Sequence, residues 1–146
     1  MPDAISLGDV QNRTDQFFDL HWPHDEERPS WSDAWSFAGE IPNQRLQGCY
    51  AILLGESVVY IGVGAGKGSG IYEGAGLGSR LHRYWRTHSK TPKAPDGTSL
   101  YEPTGEWAGA TGIATIGFPA GRGYLAYALE PYLIGHLKPE RNVVGT

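Results

Sequence analysis

One acidic residue stands alone in the most apolar segment of the chain. Glu130 lies within YLAYALEPYLIGHL, residues 124–137, which holds no other acid and no lysine or arginine. A carboxylate in such a run is rarely buried without a partner. Its oxygen atoms are the hard ligands that Mg²⁺ or Mn²⁺ prefers, and such an ion usually keeps several waters and takes phosphate oxygens from a substrate. Glu130 is therefore the candidate ligand of a single divalent ion.

Arg80 begins the second candidate group. Its planar guanidinium can brace a phosphate through a fork of donors. Tyr84 follows four residues later, so the two side chains would share one face of a helix. Residues 80–93 contain five bases and no acid, and such a local concentration favours contact with phosphates. The bases are Arg80, Arg83, Arg86, Lys90 and Lys93, and Lys67 in the preceding glycine-rich stretch is a further candidate for phosphate contact.

Two tyrosines, Tyr50 and Tyr60, lie in the apolar runs CYAILL and VVYIGV. Runs of β-branched and aromatic residues joined by a short glycine-containing turn predict a β-hairpin. The tyrosines would then lie on adjacent strands, and we expect their hydroxyls to converge at one end of the sheet.

The remaining helices and strands are predicted from capping residues, from the spacing of apolar residues and from the positions of proline and glycine. Ser79 is the predicted N-cap of a helix over residues 80–88. Residues 89–110 are rich in proline and glycine and predict a long surface excursion. A strand is predicted over residues 113–118, and leucines at helical spacing predict a helix over residues 123–137. Pro131 should kink this helix or split it near Glu130.

The first forty residues differ in character from the rest. Residues 1–40 hold nine acids and two bases, whereas residues 41–146 hold seven acids and ten bases, for a net charge of -4 overall. Asn12 or Thr14 is a predicted cap for a short helix ending near Leu20. Three tryptophans indicate that the segment packs on the body of the protein. We therefore expect an acidic N-terminal extension over residues 1–40, rich in tryptophan and proline, and a second unit over residues 41–146.

The single cysteine, Cys49, excludes an intramolecular disulfide and suits a reducing compartment. The N-terminus lacks a cationic start followed by an apolar run, and no stretch approaches the ~18 apolar residues of a membrane span. We therefore expect a cytoplasmic protein with no membrane partner.

The order of these residues resembles the GIY-YIG nuclease superfamily over residues 48–142, nearly two-thirds of the chain. Four motifs in the same order are a specific signal. Cys49 departs from the usual isoleucine or valine, and the connection from Gly62 to Arg80 is longer than the minimal family loop. The matching positions are Gly48-Cys49-Tyr50, Tyr60-Ile61-Gly62, Arg80 with Tyr84, Leu129-Glu130, and Pro139 ahead of Asn142.

The resemblance implies an α+β fold with a small antiparallel three-stranded sheet flanked by helices. It implies a metal-dependent endonuclease that leaves 5'-phosphate and 3'-hydroxyl ends, and we expect DNA as the substrate and a restriction or defence role. A tyrosine hydroxyl would act as general base, Tyr50 first and Tyr60 second, although a free tyrosine is only about one part in a thousand ionised at pH 7. A nearby cation must favour the phenolate. The implied catalytic residues are Tyr50, Tyr60, Arg80, Tyr84, Glu130 and Asn142, with Mg²⁺ or Mn²⁺ at Glu130.

Other interpretations remain open at this point. The chain could be a structure-directed repair, recombination or toxin nuclease, or a catalytically silent nucleic-acid-binding module with the same fold. Each candidate side chain also has a plain structural role: tyrosines pack in strands, and Asn142 could cap or turn the chain end. A nucleotide-binding loop is disfavoured. The phosphate-loop pattern requires glycine at position 61 and Ser or Thr at position 68, but this chain has Ile61 and Gly68 there. The sequence does not determine the oligomeric state.

Overall fold

The computed structural model of this chain describes residues 4–65, 76–81, 85–87, 97–98 and 100–142. The helices and strands belong to an α+β fold whose largest sheet is antiparallel and has three strands, with the first strand of the chain between the second and the fifth. This confirms the predicted fold class in its coarse form. In chain order the elements are α1 (Leu7–His21), β1 (Gln47–Leu54), β2 (Ser57–Gly64), α2 (Gly76–Leu81), β3 (Trp85–Thr87), β4 (Tyr101–Pro103), a short 3-10 helix (Gly105–Trp107), β5 (Gly112–Phe118) and α3 (Tyr124–Leu137).

The predicted hairpin is confirmed and forms two of the three strands. Leu54 pairs with Ser57, so the turn consists of Gly55 and Glu56. Gly55 has a φ of 62°, in the left-handed region that a hairpin turn requires and glycine adopts most readily. The predicted strand over residues 113–118 is also confirmed, as β5.

The sheet separates two hydrophobic cores because successive side chains of a strand point to opposite faces. On β1, Cys49 and Ala51 belong to the core that also contains buried residues of α1 and α3. Tyr50 and Ile52 belong to the other core, together with buried residues of α2. The opposite faces of one strand thus support different helices.

The N-terminal helix begins earlier than predicted. Ser6 is the N-cap of α1, and its side chain and that of Asp9 form a reciprocal capping box. Neither Asn12 nor Thr14 caps the helix, so that prediction was wrong. Thr14 is instead fully buried, and its hydroxyl donates to the Val10 carbonyl at 2.8 Å.

The acidic N-terminal segment packs closely against the sheet. Trp22 and Trp31 are buried in the core beside α1 and α3, and Trp35 is buried in the opposite core. Trp35 also exchanges two backbone hydrogen bonds with Ile113, of 2.8 and 3.0 Å, along the outer edge of β5. The tryptophans therefore pack this segment against both faces of the sheet.

The predicted helix over residues 80–88 was wrong. The helix α2 covers Gly76–Leu81, so Ser79 lies within it rather than capping it, and Arg80 lies in its last turn. A Cβ on Gly76 would lie 2.3 Å from the Gly64 carbonyl oxygen, so close backbone contact fixes where α2 begins. Trp85–Thr87 forms strand β3, which pairs with β4. An aromatic and a β-branched residue suit a strand, and the pairing partner lies too far along the chain for a local pattern to reveal it.

Two further predictions need correction. Residues 89–110 are not only a surface excursion, because β4 and the 3-10 helix form within them and Trp107 is buried. Pro131 does not split α3, which continues from Tyr124 to Leu137. Buried Leu129 and Leu133 lie on either side of Pro131, and their packing holds the helix together across it.

No helix among the residues that the structure describes is long and apolar enough to cross a membrane.

A buried hydrogen bond tests the packing of the N-terminal segment. The Trp31 Nε1–H donates to the Thr14 hydroxyl at 2.9 Å. Thr14→Val keeps the shape but leaves the indole N–H without this acceptor, so we expect the free energy of unfolding to fall by about 1–3 kcal/mol. Urea unfolding measures the loss. In a Trp31→Phe background, which has no indole N–H, the same substitution should cost about 1 kcal/mol less; equal losses in both backgrounds would refute the assignment.

Candidate active site

The outer edge of β2 is where several of the predicted site residues meet. Edge strands present backbone groups that no further strand pairs. Here the C-terminal residues bond to them: the Arg141 N–H donates to the Val59 carbonyl at 3.0 Å. The Asn142 Oδ1 accepts from the Ile61 N–H at 2.8 Å, and its Nδ2 donates to the Ile61 carbonyl at 2.9 Å. The Asn142 amide therefore takes the place of a neighbouring strand beside Tyr60.

Glu130 reaches the same edge from α3. Burial raises the pKa of this half-buried carboxyl above its usual value of 4.5, and the Arg80 guanidinium and a hydrogen bond with the Val63 backbone both oppose that rise. These interactions place a cation from α2 and a carboxylate from α3 within electrostatic reach of each other. The structure thus brings together two residues that the sequence separates by fifty positions.

Cys49, on the central strand β1, lies near Glu130 of α3. Its thiol is completely buried and donates to the Ala126 carbonyl at 3.4 Å. Burial raises the pKa of the Cys49 thiol well above its usual range, and the Glu130 carboxylate raises it further. Cys49 therefore remains a neutral thiol that packs against α3 rather than a nucleophile.

The two tyrosines lie on the other face of the hairpin, with ring centroids 6.2 Å apart. Tyr50 pairs with Gly62 in the sheet and is fully buried. A Cβ on Gly62 would lie 2.3 Å from the Tyr50 Cζ and 2.4 Å from its hydroxyl oxygen. The lack of a side chain at Gly62 therefore lets the Tyr50 ring extend from β1 over the edge strand. Tyr60, on β2 itself, is partly exposed.

Tyr60 packs against Trp107, which Arg141 contacts in turn, and the sequence predicted neither contact. Its ring lies 5.1 Å from the Trp107 ring in an edge-on arrangement. The Arg141 guanidinium lies 4.9 Å above the Trp107 ring and donates to the Glu106 carbonyl at 2.8 Å. Trp107 occurs in a stretch rich in proline and glycine. Its large aromatic side chain was the feature of the sequence that could have indicated its burial.

Several predicted residues cannot be placed at this edge. Arg86 lies in strand β3, not on the predicted helix. Because α2 ends at Leu81, the helical argument that set Tyr84 beside Arg80 does not hold. The residues that lie outside the described part of the chain are Lys67, Arg83, Tyr84, Lys90 and Lys93.

Glu130 fits the chemistry of a magnesium or manganese ligand. Mg²⁺ is usually held by one or two carboxylates together with waters and substrate phosphates. Within the described ranges there is no group of three or more His, Cys, Asp or Glu side chains that could hold a metal ion. A single oriented carboxylate at the edge of β2 is the donor that this chemistry requires of the protein.

Comparisons with protein-family models, curated proteins and solved structures found no match for this chain. Any assignment therefore depends on the motifs and on the geometry at the edge of β2.

The raised pKa of Glu130 predicts a specific pH dependence of stability. Because the folded protein holds this proton more tightly than the unfolded chain, stability should fall as the pH rises above 4.5 and through the raised pKa. Glu130→Gln removes the titration. In metal-free buffer, urea unfolding should show the variant gaining stability relative to wild type above pH 4.5, with the gain absent at lower pH. A difference independent of pH would contradict the burial of this carboxyl.

Proposed function

We propose that this chain is a metal-dependent endonuclease of the GIY-YIG superfamily that hydrolyses phosphodiester bonds in nucleic acid, with DNA as its expected substrate. One observation supports this most strongly: Arg80 and Glu130, from different helices, lie within electrostatic reach of each other beside β2. The products would carry 5'-phosphate and 3'-hydroxyl ends, and a restriction or defence role is the expected setting.

The charges at this edge suit a phosphodiester. Such a substrate repels nucleophiles because it is an anion, and hydrolysis adds further negative charge in the transition state. Arg80 would hold the phosphate and stabilise that charge through its fork of donors. Glu130 would hold Mg²⁺ or Mn²⁺, and the hydrogen bond with Val63 orients its carboxylate for this purpose. The ion, when bound, supplies Lewis-acid charge to the phosphate oxygens.

A tyrosine hydroxyl would take the proton from the attacking water. Tyr50 is the first candidate, because its hydroxyl lies over Gly62 at the edge strand. Tyr60 is the second, and its partial exposure gives water direct access. The Arg80 cation would favour the ionised form of either phenol.

Asn142 belongs to the site as a positioning residue. Both polar atoms of its amide bond to the Ile61 backbone, so they hold β2 in register with the C-terminal segment. Tyr60 and Gly62 flank Ile61 in the chain. Tyr84 would be a further catalytic residue, and the expected phosphate contacts are those of Lys67, Arg83, Arg86, Lys90 and Lys93.

A catalytically silent nucleic-acid-binding module is the second candidate. The complete burial of Tyr50 and the partial burial of Glu130 favour it, because a working base and metal ligand must both be reached by solvent or substrate. Cleavage decides between the two.

A cleavage assay with matched variants tests the proposal. Plasmid, duplex, single-stranded DNA and RNA substrates are incubated with excess protein and Mg²⁺ or Mn²⁺, and the ends are mapped. We expect cleavage, and we expect Glu130→Gln to slow it by about 100-fold or more, because the ligand of the ion is lost. Glu140→Gln, which neutralises an exposed acid nearby in the chain, is the control and should cut at the wild-type rate.

The tyrosine variants belong to the same assay. Tyr50→Phe should remove most of the rate if Tyr50 is the base, and Tyr60→Phe should do so if Tyr60 is. Nucleic-acid binding without cleavage of any substrate would support the silent module. Cleavage by Glu130→Gln at the wild-type rate would refute the metal site.

A further inference from the structure

The helix α3 is apolar on the side that faces away from the sheet as well as on the side that packs against it. Its inner side buries Leu125, Ala126, Leu129 and Leu133. A helix that is hydrophobic all round is typically covered on every side. The exposed side is here named the α3 outer face and consists of Tyr124, Tyr127, Ala128, Pro131, Gly135 and His136.

The large side chains of this face are unusually exposed. Tyr124 and Tyr127 are 60% and 57% exposed, respectively. Positions 124, 128, 131 and 135 follow the spacing of four, three and four residues that forms one stripe along a helix. The stripe has no lysine or arginine, so it offers no cation to a phosphate backbone.

We propose that the α3 outer face binds the same face of a second copy of this chain, with the two helices antiparallel about a two-fold axis. The bulky residues lie at the N-terminal end of the stripe and the small ones at the C-terminal end. When Ala128 lies opposite Pro131 of the second copy, Tyr124 lies opposite Gly135, because Tyr124 precedes Ala128 by four residues and Gly135 follows Pro131 by four. The face is therefore complementary to itself in this orientation.

The space at Gly135 supports this pairing. A Cβ added at Gly135 would meet no atom within 4 Å. Glycine inside a helix lowers helix stability relative to alanine, and no contact among the described residues requires it at this position. The ring of Tyr124 from a second copy fits against this open backbone.

The charges at the two ends of α3 also favour the antiparallel pair. Next to its N-terminal end, Arg122 donates two hydrogen bonds to Glu26, of 2.7 and 2.9 Å, and offsets its charge, which leaves exposed Glu27 as the acid lining the same open groove. The opposite end carries exposed Lys138. Glu140 and Arg141 follow it and offset each other. An antiparallel arrangement brings the acidic end of each copy to the basic end of the other, and it also opposes the two helix dipoles.

The size of the face indicates a reversible dimer. Fourteen helical residues span about 21 Å, and one helix face of that length is smaller than the roughly 800 Å² per partner of a stable complex. We therefore expect association that depends on concentration. This inference does not depend on the proposed nuclease activity.

Sedimentation and light scattering over a range of concentrations test the proposal. The average mass of the wild-type protein should rise from 15.9 kDa towards about twice that value. Gly135→Gln should weaken the dimer by about tenfold or more, because the new side chain occupies the space of the tyrosine. Its thermal midpoint should be unchanged or higher, since the monomer has room there. Asn12→Gln, on the exposed side of α1, is the matched control and should leave the dimer unchanged.

A compensating pair tests the antiparallel register. Tyr124→Ala combined with Gly135→Gln makes room for the glutamine, so the double variant should dimerise more tightly than Gly135→Gln alone. A monomer at every concentration, or a dimer insensitive to these substitutions, would overturn the proposal. If the protein is a monomer and Tyr127→Glu lowers DNA binding, the face belongs to nucleic acid instead.

Discussion

Hydrogen bonds to the outer edge of strand β2 are the interaction on which the candidate site depends. An open strand edge is a liability, and here the C-terminal segment and α3 cover it through backbone and side-chain hydrogen bonds. Asn142 takes the place of a strand neighbour for Ile61, and the Glu130 carboxyl interacts with the Val63 backbone. These contacts tie the residues that follow α3 to β2, and Glu130 and Arg80 lie within electrostatic reach of each other beside the same strand.

The same helix serves two purposes through its different sides. Its inner side packs on the sheet, and Glu130 reaches the sheet edge at the margin of that contact. Its outer face is apolar and exposed in the single chain, which led us to propose a second copy as the partner. A two-fold pair would carry two copies of the candidate site on helices that touch each other.

Local patterns in the sequence predicted the elements whose stabilising contacts are close along the chain or strictly periodic. The hairpin around Gly55, the strand β5 and the helix α3 are of this kind. The position of α2 could not be predicted, because it depends on backbone contact between Gly64 and Gly76. Nor could the role of Asn142, whose partner Ile61 lies 81 residues away. The sequence motifs identified the candidate site residues. Contacts between residues far apart in the chain determine their positions.

Paramagnetic broadening by Mn²⁺ can show whether Glu130 holds a divalent ion at the edge of β2. In amide spectra of the labelled protein, substoichiometric Mn²⁺ should first remove the signals of Val63 and its neighbours, because the Val63 backbone bonds to the Glu130 carboxylate. The signal of Gly112 at the far strand should persist, and Glu130→Gln should abolish the effect at Val63. Broadening centred on Glu26 and Glu27, with Val63 unaffected, would show that the ion does not bind at Glu130.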